Sequence, residues 1–455
     1  MSRLEHEPVL AVTRAGGPWL YGENGERWFD GISSWWTCLL GHRHPEVVAA
    51  LKDQLDRLDH VMLAGFTHAP AVELGERLAA LTGGALGHAS FASDGASALE
   101  IALKQSAHAW RNRGLPGKYR FVCLEGSYHG ETLGALGVTQ QPLFSESYRL
   151  LLREALVVSG PDDRRAACEG HTAEQEALRA AARLEATLSL HAHELAAVVV
   201  EPLMQGAGGM VMYHPEFLRR VRELCDRYQV HWIADEIATG CGRTGSFFAV
   251  EHAGVWPDLL CLSKGITGGM LPLSVVLASD SVFESFLDPD LGIGRAFLHS
   301  HSFTGNPLAC RAAVATLKVL ERDQVLLANR ARAQRIALGL APLRSLAGIS
   351  DFRQLGMIWA FEMAAGAQAA RAVQAAARRR GLMIRPLGNT VYLMPPFLLD
   401  DDLCDWLGQT LCAAVEEALA LGAAGQGAGF DVGALRASAV GGTGIAGAVG
   451  EERLA

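Results

Sequence analysis

The chain has no CxxC pair, no HExxH segment and no basic run longer than three residues, and each absence removes a class of function. Its nine cysteines, Cys38, Cys123, Cys168, Cys225, Cys241, Cys261, Cys310, Cys404 and Cys412, are scattered. That pattern reads as reduced core packing, without a disulfide framework or a zinc site. His299 and His301 invite a metal reading, but no carboxylate or cysteine stands at ligand spacing from them, so they are expected to form a polar turn with no metal. Lys and Arg number 40 against 49 Asp and Glu, a net charge of −9, which argues against a nucleic-acid partner. The opening residues MSRLEHEPVL contain no basic region followed by an apolar stretch of signal-peptide length. No uninterrupted apolar run reaches the roughly 20 residues of a membrane span. The expectation is a cytoplasmic protein with no membrane partner.

Apolar residues are abundant, 49% of 455, enough for a large core and two or three domains. The stretch Val230 to Gly269 organises the rest. Val230 to Ala234 reads as an interior parallel strand with Asp235 at its carboxyl end, where open α/β sheets place ligands. Asp258 to Leu262 is a second strand that delivers Ser263 and Lys264 to the same edge, followed by the Gly-rich turn Gly265 to Gly269. Most lysines are surface charges, but a desolvated one sheds its proton and becomes a nucleophile toward an aldehyde. Within the same stretch, Gly240 to Gly245 matches GxGxxG. A dinucleotide fingerprint needs a strand directly before it and a long helix after it; here Asp235 to Thr239 intervene and an aromatic, turn-rich run follows, so that reading is rejected.

Further motifs fall at other strand ends. Ala89 to Ala92, then Ser93-Asp94-Gly95, then a helix from Ala96 to Asn112 forms a strand, turn and helix that suits an anion on free N–H groups; an ordinary helix cap is the competing reading. Tyr119 to Leu124 leads into a loop carrying Tyr128 and His129, and Ala196 to Val200 ends in Glu201, expected to brace the site. The proline-led helix from Pro215 to Tyr228 and the strand at Val230 form a βαβ crossover. The fold class is therefore α/β, with a mostly parallel central sheet covered by helices. Near the amino end, Trp19 to Phe29 reads as a hairpin around Asn24-Gly25, and Ser33-Ser34-Trp35-Trp36 follows it. The tandem tryptophans serve packing or a ligand wall. The expected division is residues 1–60 and 311–421 as a smaller α+β domain, 61–310 as the large domain, and a Gly/Ala-rich tail, 422–455, disordered or loosely docked.

The segment holding Asp235 and Lys264 resembles the class III, fold type I, pyridoxal-phosphate aminotransferases. SSWW at 33–36 and Arg385 followed by YLMPP resemble a subgroup of that family, the adenosylmethionine-8-amino-7-oxononanoate aminotransferases of biotin synthesis. The resemblance covers about residues 17–420. It implies pyridoxal 5'-phosphate bound through Lys264, with Asp235 against the ring nitrogen, Tyr128 stacked on the ring, and Gly95 and Ala96 at the phosphate. A family serine after Gly95 is replaced here by Ala96, so Ser97 or Ser93 is expected to supply the missing hydroxyl. It implies a homodimer with shared active sites, in which His301 and Ser302 reach the neighbouring subunit's cofactor. Trp35, Trp36, Tyr128, Lys264, Ser300 and Arg385 would contact the substrates, S-adenosylmethionine and 8-amino-7-oxononanoate, with Arg385 clamping a carboxylate. His129 is expected behind these contacts. Subgroup relatives carry an amino-terminal Trp-His-Pro segment that Met1 to Pro8 does not contain, so a more open pocket is expected. The alternatives are another ω-amino acid or diamine transaminase, and a non-catalytic scaffold of the same fold.

Overall fold

The computed structural model describes residues 9–287 and 295–427, with side chains to residue 421. The expectations for Met1 to Pro8 and for residues 428–455 lie outside that range.

Seven strands form the central sheet, in the order His88–Ala92, Ser274–Ala278, Leu259–Leu262, His231–Asp235, Leu195–Val200, Arg120–Leu124 and Leu156–Val158. Ser274–Ala278 runs antiparallel to both neighbours, and the remaining pairings are parallel. Leu195–Val200, His231–Asp235 and Leu259–Leu262 are buried at every residue. Such uniform burial is what strands covered by helices on both faces require, and it explains their continuous apolar runs. Parallel strands align their carboxyl ends, so Glu201, Asp235 and Lys264 leave the sheet on one edge, joined by the loops after Ala92 and Leu124.

Besides the two-stranded pair Met204–Gln205 and Val211–Met212, two smaller sheets adjoin this core. Trp19–Gly22 and Arg27–Asp30 form the expected hairpin, with Gly25 at φ +87°, and Val12–Gly16 adds a strand that sequence patterning had not marked. Leu382–Met383 joins the same sheet in parallel with Arg27–Asp30, which brings an early and a late segment of the sequence into one sheet. Ile349–Leu355, Ile358–Met363 and Thr390–Leu393 make the other sheet. The helix Pro307–Arg322 runs unbroken across the boundary expected at 310/311, and it packs on the helices Pro45–Leu55 and Ala69–Leu81. The last helix, Asp401–Gly427, continues past Leu421, where an aperiodic tail was expected.

The GxGxxG stretch is a compact turn followed by the short 3-10 segment Ala249–Ala253, so no dinucleotide helix follows it. It also packs against the smaller sheets, since Met357 donates from its backbone to Arg243 O at 3.0 Å. Gly356 sits at φ +54°, and a Cβ there would lie 2.4 to 2.6 Å from the backbone of residues 243–245. Gly356→Ala is therefore expected to destabilise the protein by about 2 kcal/mol or more, from steric overlap and left-handed strain together. Calorimetry checks this; an unchanged melting temperature would contradict the contact.

Candidate active site

Five strand ends converge on a cavity of about 310 Å³ whose lining includes Trp36, Gly95, Ala96, Tyr128, Glu201, Asp235 and Lys264. That size suits a small cofactor and part of a substrate.

Asp235 is 4% exposed. A buried carboxylate needs partners, and it has them: its Oδ2 lies 2.7 Å from His129 Nδ1 and its Oδ1 accepts from the Ile237 N–H at 3.1 Å. His129 Nε2 is buried with no hydrogen-bond partner among the described residues. Glu201 receives the Tyr128 N–H at 3.0 Å on one oxygen and the Gly206 N–H at 3.0 Å on the other, so it fixes two loops at the cavity wall. Burial, with Asp235 nearby, pushes its carboxyl up to about 7.

Lys264 follows Ser263, whose hydroxyl donates to Leu273 O at 2.8 Å, and it adopts φ +45°. Such a backbone is uncommon for a side chain of this size. Its Nζ lies 4.9 Å from the centre of the Trp36 ring and has no hydrogen bond or ion pair among the described residues. Burial holds its ammonium below the ordinary lysine range, against the opposing pull of Asp235 and Glu201. Tyr128 is half-buried, and its hydroxyl donates to Glu131 at 2.9 Å. Burial and then that carboxylate raise the phenol well above its usual range.

The helix Gly95–Asn112 points its amino end into the cavity. A Cβ on Gly95 would meet the Ile237 side chain at 3.0 Å, and one on Gly130 would meet Ala96 at 2.5 Å, so glycines allow three segments to pack closely there. Neither serine expected to replace the absent hydroxyl is uncommitted. Ser97 donates to the capping Asp94 at 2.7 Å, and Ser93 lies 3.0 Å from His301 Nε2.

The structure thus gathers Trp36, Gly95, Ala96, Tyr128, Asp235 and Lys264 around one space. Trp35 and Arg385 do not line it; they pair with each other, the guanidinium 4.9 Å from the indole centre, and Trp35 is half-exposed. Ser300, His301 and Ser302 do not line it within one chain either, and both serines are exposed. The loop at 300–302 reaches Ser93, in the lining of a neighbouring cavity that also borders Gly95 and Lys264, through the His301 contact.

Sequence reasoning missed what supports the tryptophans. Ser33, Ser34, Trp35 and Trp36 have φ of +50°, +46°, +66° and +76°, four consecutive left-handed residues without a glycine. Each costs about 1–2 kcal/mol of backbone strain, so the surroundings must hold the turn. Ser33 donates to Met394 O at 2.8 Å, and Trp36 Nε1 donates to Tyr392 Oη at 3.1 Å. Arg243, from the rejected GxGxxG stretch, is buried and donates to Trp36 O at 3.3 Å and Pro395 O at 2.6 Å, with Phe397 beneath its guanidinium. Burial lowers it to about 9. On the other side, Asp30 Oδ2 accepts from Ser34 Oγ at 2.7 Å and lies 2.9 Å from His42 Nε2. No sequence pattern joins residues 30, 34, 42 and 243 before the chain folds.

A primary amine of lowered basicity, a buried carboxylate across the cavity, an aromatic face and free N–H groups at a long helix's start fit an aldehyde-bearing, phosphorylated pyridine. Fold and site together define a fold type I aminotransferase. The chain belongs to the class III aminotransferase family, whose model, aminotransferase class-III, matches residues 1–415. It is 41% identical over 404 residues to the adenosylmethionine-8-amino-7-oxononanoate aminotransferase of Helicobacter pylori, covering 87% of this chain and 90% of that one. It is 38% identical to the enzyme of the same name from Geobacter sulfurreducens, covering 89% and 91%. Among solved structures, the enzyme of that name from Methanocaldococcus jannaschii superposes with a TM-score of 0.85 at 29% identity, over 91% of this chain and 95% of its own. A PLP-bound amine transaminase from an uncultivated Pseudomonas species gives 0.86 at 30% identity, over 91% and 96%.

His42 supplies a pH test of the turn's support. Burial drives its imidazole down, but bonds to Asp30 and Cys38 carry it up to about 10 from 6.5. The folded state therefore holds the proton more tightly than the unfolded chain, so this stabilisation is complete below the unfolded value and is lost as pH rises toward the folded one. Between pH 6.5 and 10 the melting temperature of His42→Gln is expected to fall less steeply than that of the parent protein. Parallel slopes would contradict the pair.

Proposed function

We propose that this chain, with pyridoxal 5'-phosphate, transfers the amino group of S-adenosylmethionine to 8-amino-7-oxononanoate, giving 7,8-diaminononanoate in biotin synthesis. The observation that carries the chemistry is Lys264, an amine of lowered basicity sharing a cavity with the buried Asp235. The substrates rest on the relatives' names, matched over about nine-tenths of both chains.

When bound, pyridoxal 5'-phosphate supplies an aldehyde for a reversible link to amines and a ring that withdraws electrons from the carbon losing its proton. Lys264, the amine in the cavity, would hold the cofactor's aldehyde, and its Nζ when released would be the base placed to take up and return the substrate's proton. Asp235, oriented by His129, keeps the ring nitrogen protonated. Tyr128 covers a ring face, and the N–H groups of Gly95 and Ala96 bind the phosphate. Trp36 walls the substrate space, while Arg385 with Trp35 receives the acceptor's carboxylate. In a homodimer, Ser300, His301 and Ser302 of each protomer serve the other's site. The cytoplasm is the proposed compartment; among the described residues no helix is long and apolar enough to cross a membrane.

A second reading, an ω-amino acid or diamine transaminase, is favoured by the superposition on an amine transaminase. Donor profiling separates the two: S-adenosylmethionine is expected to outperform short diamines, and the reverse order would establish the second reading.

Lys264→Ala is expected to lose the bound cofactor's yellow colour and all turnover. Asp235→Asn should keep the colour and lose most of the rate; near-normal turnover would remove Asp235 from its role. Arg385→Ala is expected to weaken the acceptor half-reaction by about 2–5 kcal/mol, read by stopped-flow absorbance; an unchanged half-reaction would move the carboxylate contact elsewhere.

A further inference from the structure

We infer that Asp30 is a positioning residue for the reaction: its buried carboxylate, shared by Ser34 and His42, holds the left-handed turn that sets where Trp35 and Trp36 stand. The inference rests on the aminotransferase reading of the cavity.

Asp30 ends the strand Arg27–Asp30 and is 1% exposed. Its backbone is pinned, since its N–H donates to Pro18 O at 2.8 Å and the strand lies against Leu382–Met383. The next residue must be small: a Cβ on Gly31 would lie 2.8 Å from Met383 O. Both side-chain partners fall on one oxygen, Oδ2, with Ser34 at 2.7 Å and His42 at 2.9 Å. His42 is itself fixed through its backbone, paired in both directions with Gly17 at 3.0 and 2.6 Å. The carboxylate therefore ties the two ends of segment 30–42 to each other and to the turn between them. Cys38, lying 3.6 Å from His42 Nδ1, closes the circuit on the far side.

This arrangement acts on the cavity indirectly. Neither Asp30 nor His42 lines the space around Lys264. Trp36 does, with its ring facing Lys264 Nζ and its N–H on Tyr392. Left-handed runs of ordinary residues persist where the surroundings over-determine them. With the Asp30 contacts removed, the turn relaxes toward ordinary backbone angles and the tryptophans leave their places. Position 34 separates conformation from hydrogen bonding, because glycine enters the left-handed region without steric cost and alanine does not.

The test compares Asp30→Asn, Ser34→Ala and Ser34→Gly as holoenzymes. KM and kcat are measured for S-adenosylmethionine and 8-amino-7-oxononanoate, cofactor affinity by reconstitution, and amide exchange at residues 35–38 by mass spectrometry without substrate. Ser34→Ala and Asp30→Asn are expected to raise KM by about fivefold or more, the equivalent of one lost hydrogen bond, and to speed exchange at 35–38. Cofactor affinity is expected to stay within about twofold of the parent. Ser34→Gly, which loses the hydroxyl but relieves the strain, is expected to recover most of the KM. If Asp30→Asn does not fold, the Ser34 pair carries the test. Unchanged KM and exchange in Ser34→Ala, cofactor affinity falling in step with KM, or Ser34→Gly as impaired as Ser34→Ala would each overturn the inference. If the parent itself does not turn over these substrates while the exchange contrast holds, the substrate assignment fails and the positioning role stands.

Discussion

Everything at this site depends on placing a charged carboxylate, Asp235, at the end of a strand with almost no access to water. Isolated, such a charge is costly; paired with the His129 ring and the Ile237 N–H, it becomes a fixed negative pole in a low-dielectric cavity. Burial works in the opposite sense on the amine, holding Lys264 below its ordinary range. One sheet edge therefore presents a carboxylate that stays in place and an amine that gives up its proton readily, the combination that amine-exchange chemistry on an aldehyde needs. The surrounding glycines let backbone segments close in: Gly95 and Gly130 bring the helix start, the Tyr128 loop and Ile237 into mutual contact.

The second constraint is strain. Lys264 and the four residues Ser33 to Trp36 all occupy left-handed backbone angles, and the last of the four, Trp36, turns its ring toward the Lys264 amine in the cavity. Strain of this kind is held by surroundings that permit nothing else. Here these are the buried Arg243 on carbonyl oxygens, Ser33 on Met394 O, and the Asp30 carboxylate with two donors on one oxygen. These supports come from the hairpin sheet, the turn after Asp235 and the segment near Pro395, so the site's geometry is a property of the assembled chain.

That division explains what the sequence disclosed. Interior strands announce themselves as short apolar runs, and a chemically unusual residue at the end of each is visible before folding, which is why Asp235, Lys264, Tyr128 and Gly95 were legible, along with the mostly parallel sheet. Asp30, His42 and Arg243 were not, because their partners are set by tertiary approach and their local patterns look ordinary; Arg243 even sat in a motif with a different usual meaning. Which serine would stand in for the family hydroxyl was not legible, since Ser97 Oγ is engaged by its own helix cap and Ser93 Oγ by the loop at His301, contacts that only folding brings about. Trp35 and Arg385 pair beside the cavity, a contact that their separation in sequence conceals.

The central claim is that nitrogen passes from donor to acceptor through the Lys264 site. The most direct measurement supplies the purified holoenzyme with S-adenosylmethionine labelled with nitrogen-15 at its amino group, adds 8-amino-7-oxononanoate, and reads the product by mass spectrometry. The account predicts one labelled nitrogen in each molecule of 7,8-diaminononanoate from the parent protein and none from Lys264→Ala. Cofactor-loaded parent protein that leaves the label wholly in S-adenosylmethionine would contradict it.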